Sequence, residues 1–135
     1  MQKRIMVRAR MASIILLAIF LGAFTTKALA EKLEFSVLIG EWVRPDGGYK
    51  IQIRDIKFDG STNVGYYNPD RINVTEAKVS LWKGLVKLFI KLQDKGYPGS
   101  TYTLYYYAEE DVLAGFYYQA EMRQTFEVVF IRNPN

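Results

Sequence analysis

The stretch Leu85-Val86-Lys87-Leu88-Phe89-Ile90-Lys91-Leu92 decides the fold class. Val86, Leu88, Ile90 and Leu92 recur at every second position, with Lys87, Lys91 and Gln93 on the other parity. A period of two belongs to a strand with one buried and one wet face.

Reading backwards, Lys83-Gly84 is a turn, and Asn73–Trp82 repeats the pattern with Ala77, Val79 and Leu81 against Lys78, Ser80 and Trp82. Reading forwards, Asp94-Lys95-Gly96-Tyr97-Pro98-Gly99-Ser100 reads as a loop. Thr101–Tyr107 follows, with Tyr102, Leu104 and Tyr106 opposing Thr101, Thr103, Tyr105 and Tyr107. Beyond the acidic turn Glu109-Glu110-Asp111 lie Val112–Ala120, with Gly115 as a bend, and Gln124–Arg132, where Phe126, Val128 and Phe130 alternate.

The upstream half breaks in the same way. Gly40–Arg44 is a short strand ended by Pro45-Asp46-Gly47-Gly48. In Tyr49–Phe58, Tyr49, Ile51 and Ile53 share one parity and Ile56 and Phe58 the other, which predicts a bulge near Arg54-Asp55. Asp59-Gly60 is a hairpin turn. Asn63–Asn68 is closed by Asn68-Pro69-Asp70, because proline cannot donate to a ladder. Ahead of all this, Glu31 to Leu38 has room for a turn or two of helix. Eight strands joined by short turns predict an all-β fold. The leading form is an eight-stranded antiparallel up-and-down barrel, the alternative a β-sandwich.

The first thirty residues read differently. Lys3, Arg4, Arg8 and Arg10 precede the apolar run Ala12–Phe24, and Ala28-Leu29-Ala30 offers a small-x-small cleavage site. This is the layout of a Sec-type signal peptide, and the run is too short to span a bilayer. Cleavage after Ala30 leaves residues 31–135 as a single domain, periplasmic or secreted, with no transmembrane span. It also removes five of the 18 Lys+Arg and no acid, leaving 13 positives against 14 acids, a net charge of −1. The basic character of the full chain belongs to the discarded segment, so a nucleic-acid footprint is not expected.

The chain has no Cys and no His. Disulfides, thiolate zinc sites and the commonest base and metal ligand are therefore excluded. Any catalysis would run on carboxylates, Lys, Tyr or Ser/Thr. Asp46, Asp59, Asp70 and Asp94 sit beside turn residues and read as turn chemistry. Asp55 and Glu121 are better acids, but no spacing pairs them. No metal site, cofactor or catalytic set is predicted.

All 10 Tyr, both Trp and six of the 8 Phe lie after residue 30. Tyr66, Tyr102, Tyr106, Tyr117 and Tyr118 place hydroxyls among apolar neighbours. They are either core packing or the wall of a lumen that hydrogen-bonds a small ligand. Gln119, Arg123, Gln124 and Thr125 surround the last turn and either line a barrel mouth or cap it.

Two resemblances rest on quoted motifs. Leu38-x-Gly40-x-Trp42-x-Arg44-Pro45-Asp46-Gly47-Gly48-Tyr49, Tyr67-Asn68-Pro69, Tyr97-Pro98-Gly99-Ser100-Thr101-Tyr102, Leu113-x-Gly115-x-Tyr117-Tyr118-Gln119-Ala120 and Gln124-Thr125-Phe126-x-Val128-x-Phe130-x-Arg132 resemble a family of short exported bacterial proteins. That resemblance implies periplasmic export and no particular activity. Gly40-x-Trp42 opening the first strand is similar to the start of calycin barrels, the lipocalins and avidins. It implies that Trp42 closes one barrel end beneath a late basic residue, here Arg132. Avidins surround biotin with several Trp, whereas only Trp82 accompanies Trp42, so biotin binding is not carried over.

The leading functional expectation is a non-catalytic barrel, monomeric or weakly dimeric, that binds a small molecule or an envelope protein. Loops Arg44–Tyr49, Tyr67–Arg71 and Tyr97–Tyr102 fall at one end of an up-and-down barrel. They supply the ligand-binding candidates Arg44, Asp46, Tyr49, Asn68, Tyr97 and Ser100. Tyr66, Tyr102, Tyr106, Tyr117 and Gln119 come from the strands. The alternatives are an inhibitor-like interaction module acting through a Glu31–Ile39 trunk, and an enzyme built on Arg44, Asp46 and Tyr102.

Overall fold

The computed structural model describes residues 25–134. The basic and apolar segments of the expected signal peptide lie outside the described residues. Residues 25–35 form a helix that passes into a 3-10 turn, Ser36–Leu38. Among the described residues no helix is long and apolar enough to cross a membrane.

Nine strands follow: β1 Gly40–Val43, β2 Lys50–Ile56, β3 Thr62–Tyr67, β4 Arg71–Ile72, β5 Val74–Trp82, β6 Leu85–Asp94, β7 Tyr97–Tyr107, β8 Val112–Gln119 and β9 Gln124–Arg132. They form one antiparallel sheet, ordered β4-β3-β2-β1-β9-β8-β7-β6-β5, which curls into a nearly closed barrel. The ninth strand is β4, a two-residue pairing of Arg71 and Ile72 with Tyr67 and Tyr66 that follows Pro69 too closely to show a period.

Local chemistry sets the turns. Lys83 and Gly84 both have positive φ, 48° and 79°, the backbone twist that suits a two-residue hairpin. The bulge in β2 falls between Ile53 and Asp55, so Ile51, Ile53 and Ile56 all reach the core. Phe58 does not. It is 61% exposed, beyond the end of β2, with Lys32 Nζ 4.2 Å from its ring centroid. Leu81 likewise ends up exposed, on β5, the last strand in the sheet order, although its cross-strand partner Val86 is buried.

The expected loop 94–100 is mostly strand. β6 extends to Asp94, Lys95 and Gly96 turn the chain, and β7 begins at Tyr97. Pro98 is accommodated opposite Gln93, beside a register shift between Lys91 and Gln93, where a missing N–H is tolerated. Gly115 is not a bend. The β7–β8 register is unbroken through it, and a Cβ there would run into the Thr103 carbonyl.

Two seams close the barrel. At one, Trp42 pairs with Arg132 and Val43 with Ile131. At the other, the β2–β3 turn docks on β5, where Val79 N–H donates to the Gly60 carbonyl at 2.7 Å and Ser61 bridges Lys78. Gly60 has φ 86° and lies so close that a Cβ would meet the Val79 carbonyl.

The interior is filled with side chains. Trp42, Tyr66, Tyr102, Phe130, Leu88, Ile90, Leu104 and Leu113 are all fully buried. Each such aliphatic or aromatic group contributes about 1.5–3 kcal/mol of burial. Phe35 and Leu38, from the N-terminal segment, belong to the same cluster.

Candidate functional site

The loops after β1, β3 and β6 meet at one end of the barrel, and nine of the eleven predicted ligand-binding residues form a connected cluster there. Arg44, just past β1, holds Asp46 in a bidentate pair, Nε–Oδ1 2.9 Å and Nη2–Oδ2 2.6 Å. Its guanidinium carbon lies 4.0 Å from the Tyr49 ring centroid. Its side chain is only 11% exposed against 62% for Asp46, so the pair reaches from the interior to the surface.

Beneath Arg44 lies Tyr102, from β7. The Tyr102 and Tyr66 hydroxyls are 2.8 Å apart, and the rings of Tyr102 and Tyr117 stack at 4.6 Å. Tyr97 packs edge-on to Tyr66 at 6.2 Å between centroids, and its hydroxyl accepts from Asn68 Nδ2 at 2.6 Å. Ser100 is fully buried; its Oγ accepts from the Ala120 N–H at 3.1 Å and also hydrogen-bonds Tyr117.

Burial shapes the electrostatics. Desolvation pushes the Tyr102 hydroxyl up to about 12, even though the Tyr66 and Arg44 hydrogen bonds pull the other way. Desolvation and the neighbouring tyrosines drive Tyr66 well above the ordinary phenol range. Tyr117 is also raised, chiefly by burial. Burial works against the Arg44 charge, but the hydrogen bonds to Asp46 and Tyr102 outweigh it and hold the guanidinium protonated. Asp46 lies below the usual carboxylate range because Arg44 donates to it. Tyr66, Tyr102 and Tyr117 therefore stay neutral at physiological pH, and none of the three is poised as a base.

Tyr106 is placed elsewhere. It lies at the opposite end, with its ring edge-on to Trp42 at 6.1 Å and its hydroxyl 2.9 Å from Asp111 Oδ1. Arg132 dominates that end. Its guanidinium carbon sits 4.2 Å from the Trp42 ring centroid. Nε bonds Asp111 Oδ2 at 2.8 Å, Nη1 the Ile39 carbonyl at 3.1 Å, and Nη2 the Val37 carbonyl at 2.7 Å. The Trp42 indole N–H donates to the Leu38 carbonyl at 2.9 Å. Gly40 starts β1 at φ 137°, with Arg132 Nη1 against the space a Cβ would take. Trp42 and Arg132 thus fasten the N-terminal segment, the last strand and the β7–β8 turn together.

Gln119 is also outside the cluster, paired with Gln124 at the mouth of the β8–β9 hairpin. Asp59 and Asp94 serve turns: Asp59 accepts from the Ser61 N–H and hydroxyl, and Asp94 from the Asn73 and Lys95 N–H groups. Asp55 and Glu121 lie in separate elements, the β2 bulge and the β8–β9 turn. No group of three or more acidic side chains able to hold a metal occurs among the described residues.

The sequence reading missed a surface. A groove of about 730 Å³ crosses the outer face of the sheet, lined by Trp82, Tyr105, Tyr107, Phe116, Glu127 and Val129. Outward-facing aromatics on neighbouring strands carry it, and the signal was present in the polar-parity positions Tyr105, Tyr107 and Phe116. Comparison with family models, curated proteins and solved structures finds no match to this chain.

Proposed function

We propose that the chain is an exported, non-catalytic binding module of the bacterial envelope, periplasmic or secreted, that recognises a protein partner through its outer surface. The observation that carries this reading is the filled interior. The tyrosine hydroxyls that a lumenal ligand would need already bond one another, Asn68, Ser100 and Arg44, so a ligand entering there would displace side chains that are fully buried. Neutral phenols and a salt-bridged Arg44 also argue against acid–base chemistry at that end. Cleavage after Ala30 would retain Phe35 and Leu38, on which the core depends.

The calycin likeness remains a proposal about ancestry. It is supported by the barrel and by Arg132 over Trp42. A small-molecule role is the second reading, favoured by the outer groove rather than by a lumen.

Native mass spectrometry of the protein, purified gently after expression of the full chain in its host, separates these readings. The intact mass reports whether cleavage follows Ala30. A stoichiometric protein partner, retained after crosslinking in the intact cell, is expected. A reproducible adduct of small mass, lost on denaturation, would overturn the protein-partner reading in favour of a ligand carrier.

A further inference from the structure

β9 is paired along nearly its whole length on only one side. Residues Gln124 to Ile131 all face partners on β8. On the other side β1 reaches only Ile131 and Arg132. The reason is local. Along β1, odd-numbered residues turn their main-chain groups towards β9 and even-numbered ones towards β2. Accordingly the Asn133 N–H donates to the Glu41 carbonyl at 2.9 Å and the Arg44 N–H to the Tyr49 carbonyl at 3.1 Å. The next odd residue is Pro45, which would pair with Val129 but has no N–H. The Pro45-Asp46-Gly47-Gly48 turn then leads away to β2.

By the same alternation, Thr125, Glu127 and Val129 aim their N–H and C=O groups into the unfilled side. Among the described residues none of them makes a main-chain bond there. Residues 124–127 and 129 are all exposed, and Phe126 and Val129 are 42% and 44% exposed. An open, partly apolar edge is a template for another strand, and barrels ordinarily avoid one.

We infer that the open edge of β9, residues 124–130, takes up an extended peptide segment of the protein partner, antiparallel to β9 and in line with β1, with a basic residue beside Glu127. This rests on the proposed role as a binding module. The charge follows from the surroundings. Glu127 makes no ion pair among the described residues, and Asp46 is the other charged group on the adjoining groove. Apolar residues of the incoming strand would lie on the face of Phe126, the parity that carries Val128 and Phe130 into the core, and its polar residues on the outer face beside Thr125, Glu127 and Val129, while the main chain completes the ladder. A second copy pairing about Glu127 would set two carboxylates directly opposite each other, which disfavours self-association through this edge.

Amide hydrogen exchange read by NMR tests this on the protein as it accumulates from the full chain. In the free protein, the Thr125, Glu127 and Val129 amides should exchange quickly, and those of Phe126, Val128 and Phe130, bonded to β8, slowly. The probes are synthetic peptides that match the open edge in length, alternating Val, Leu or Tyr with Lys, Ser or Glu. The Lys series should slow exchange at Thr125, Glu127 and Val129 about tenfold or more at saturation. The same peptides N-methylated at alternate amides should not, and Glu127→Lys should reverse the preference from the Lys to the Glu series. Failure of every peptide to protect these amides overturns the proposal. So does protection already present in the free protein together with a dimer mass, which would give the edge to a second copy. A natural partner whose capture is unaffected by Val129→Pro and Glu127→Lys would leave the binding-module role standing and overturn this edge as its site.

Discussion

The hydroxyls of Tyr66 and Tyr102 share a buried hydrogen bond of 2.8 Å, although the two residues are 36 positions apart in the chain. Tyr102 has a further polar neighbour in Arg44, whereas the Tyr66 hydroxyl bonds Tyr102. Removing the Tyr102 hydroxyl therefore strands a buried group. Tyr102→Phe is expected to cost about 1–3 kcal/mol, and Tyr66→Phe, which leaves Tyr102 bonded to Arg44, about 1 kcal/mol. Urea denaturation of both variants checks the order. Equal losses would mean that Arg44 does not satisfy Tyr102.

The same buried phenol predicts an alkaline limit. The Tyr102 pKa rises from 10.0 in the unfolded chain to about 12 in the folded one, so the folded state favours the neutral form. Its contribution is fully present below pH 10 and is lost as pH rises from there through about 12. Stability should fall across that window, with tyrosinate absorbance rising in a second, cooperative step as the barrel opens. A single smooth tyrosinate titration with unchanged circular dichroism would contradict this.

At the far end, Arg132 holds the Asp111 carboxyl below its usual range, and the Tyr106 hydroxyl adds to the effect. A depressed carboxylate stabilises the fold above its unfolded pKa, and that contribution is lost as pH falls through the folded value. Both side chains are partly exposed, 31% and 46%, so solvent screening keeps the pair's own worth small. Acid unfolding of Asp111→Asn should be less steep below about pH 4 than that of the parent. Arg132→Ala, which also frees the Val37 and Ile39 carbonyls and uncovers Trp42, should cost about 2–3 kcal/mol and redden Trp42 fluorescence. A Trp82→Phe background isolates that signal.

Gly60 is the point at which the second seam closes. Ala there must adopt φ 86° and place its methyl on the Val79 carbonyl. Gly60→Ala is expected to lose more than about 2 kcal/mol. Gly48→Ala, where a Cβ meets nothing within 4 Å, should change stability by less than about 0.5 kcal/mol. Thermal melts of the two variants compare them directly.

The strand content was legible because apolar residues alternate in Leu85–Leu92 and its neighbours, and the alternation marks a wet and a dry face whatever the partner. The β2 bulge was legible for the same reason, as a change of parity between Ile53 and Ile56. The gathering of Arg44, Tyr49, Asn68 and Tyr97 at one end followed from counting strands, since successive antiparallel strands return alternate loops to the same end. The strand character of Tyr97-Pro98-Gly99-Ser100 was not legible, because Pro and Gly signal a loop and only a bulge opposite Lys91–Gln93 admits them to the ladder.

Other features depend on contacts between distant parts of the chain. Whether Tyr66 and Tyr102 line a lumen or fill it depends on how tightly the barrel curls, and the pattern along a strand carries no measure of that radius. The sharing of Asp111 between Tyr106 and Arg132, the docking of Gly60 on Val79, and the half-paired edge of β9 arise only when first and last strands meet. Local sequence determined which faces are buried; the tertiary closure decided which hydroxyls find partners and which backbone groups are left without them.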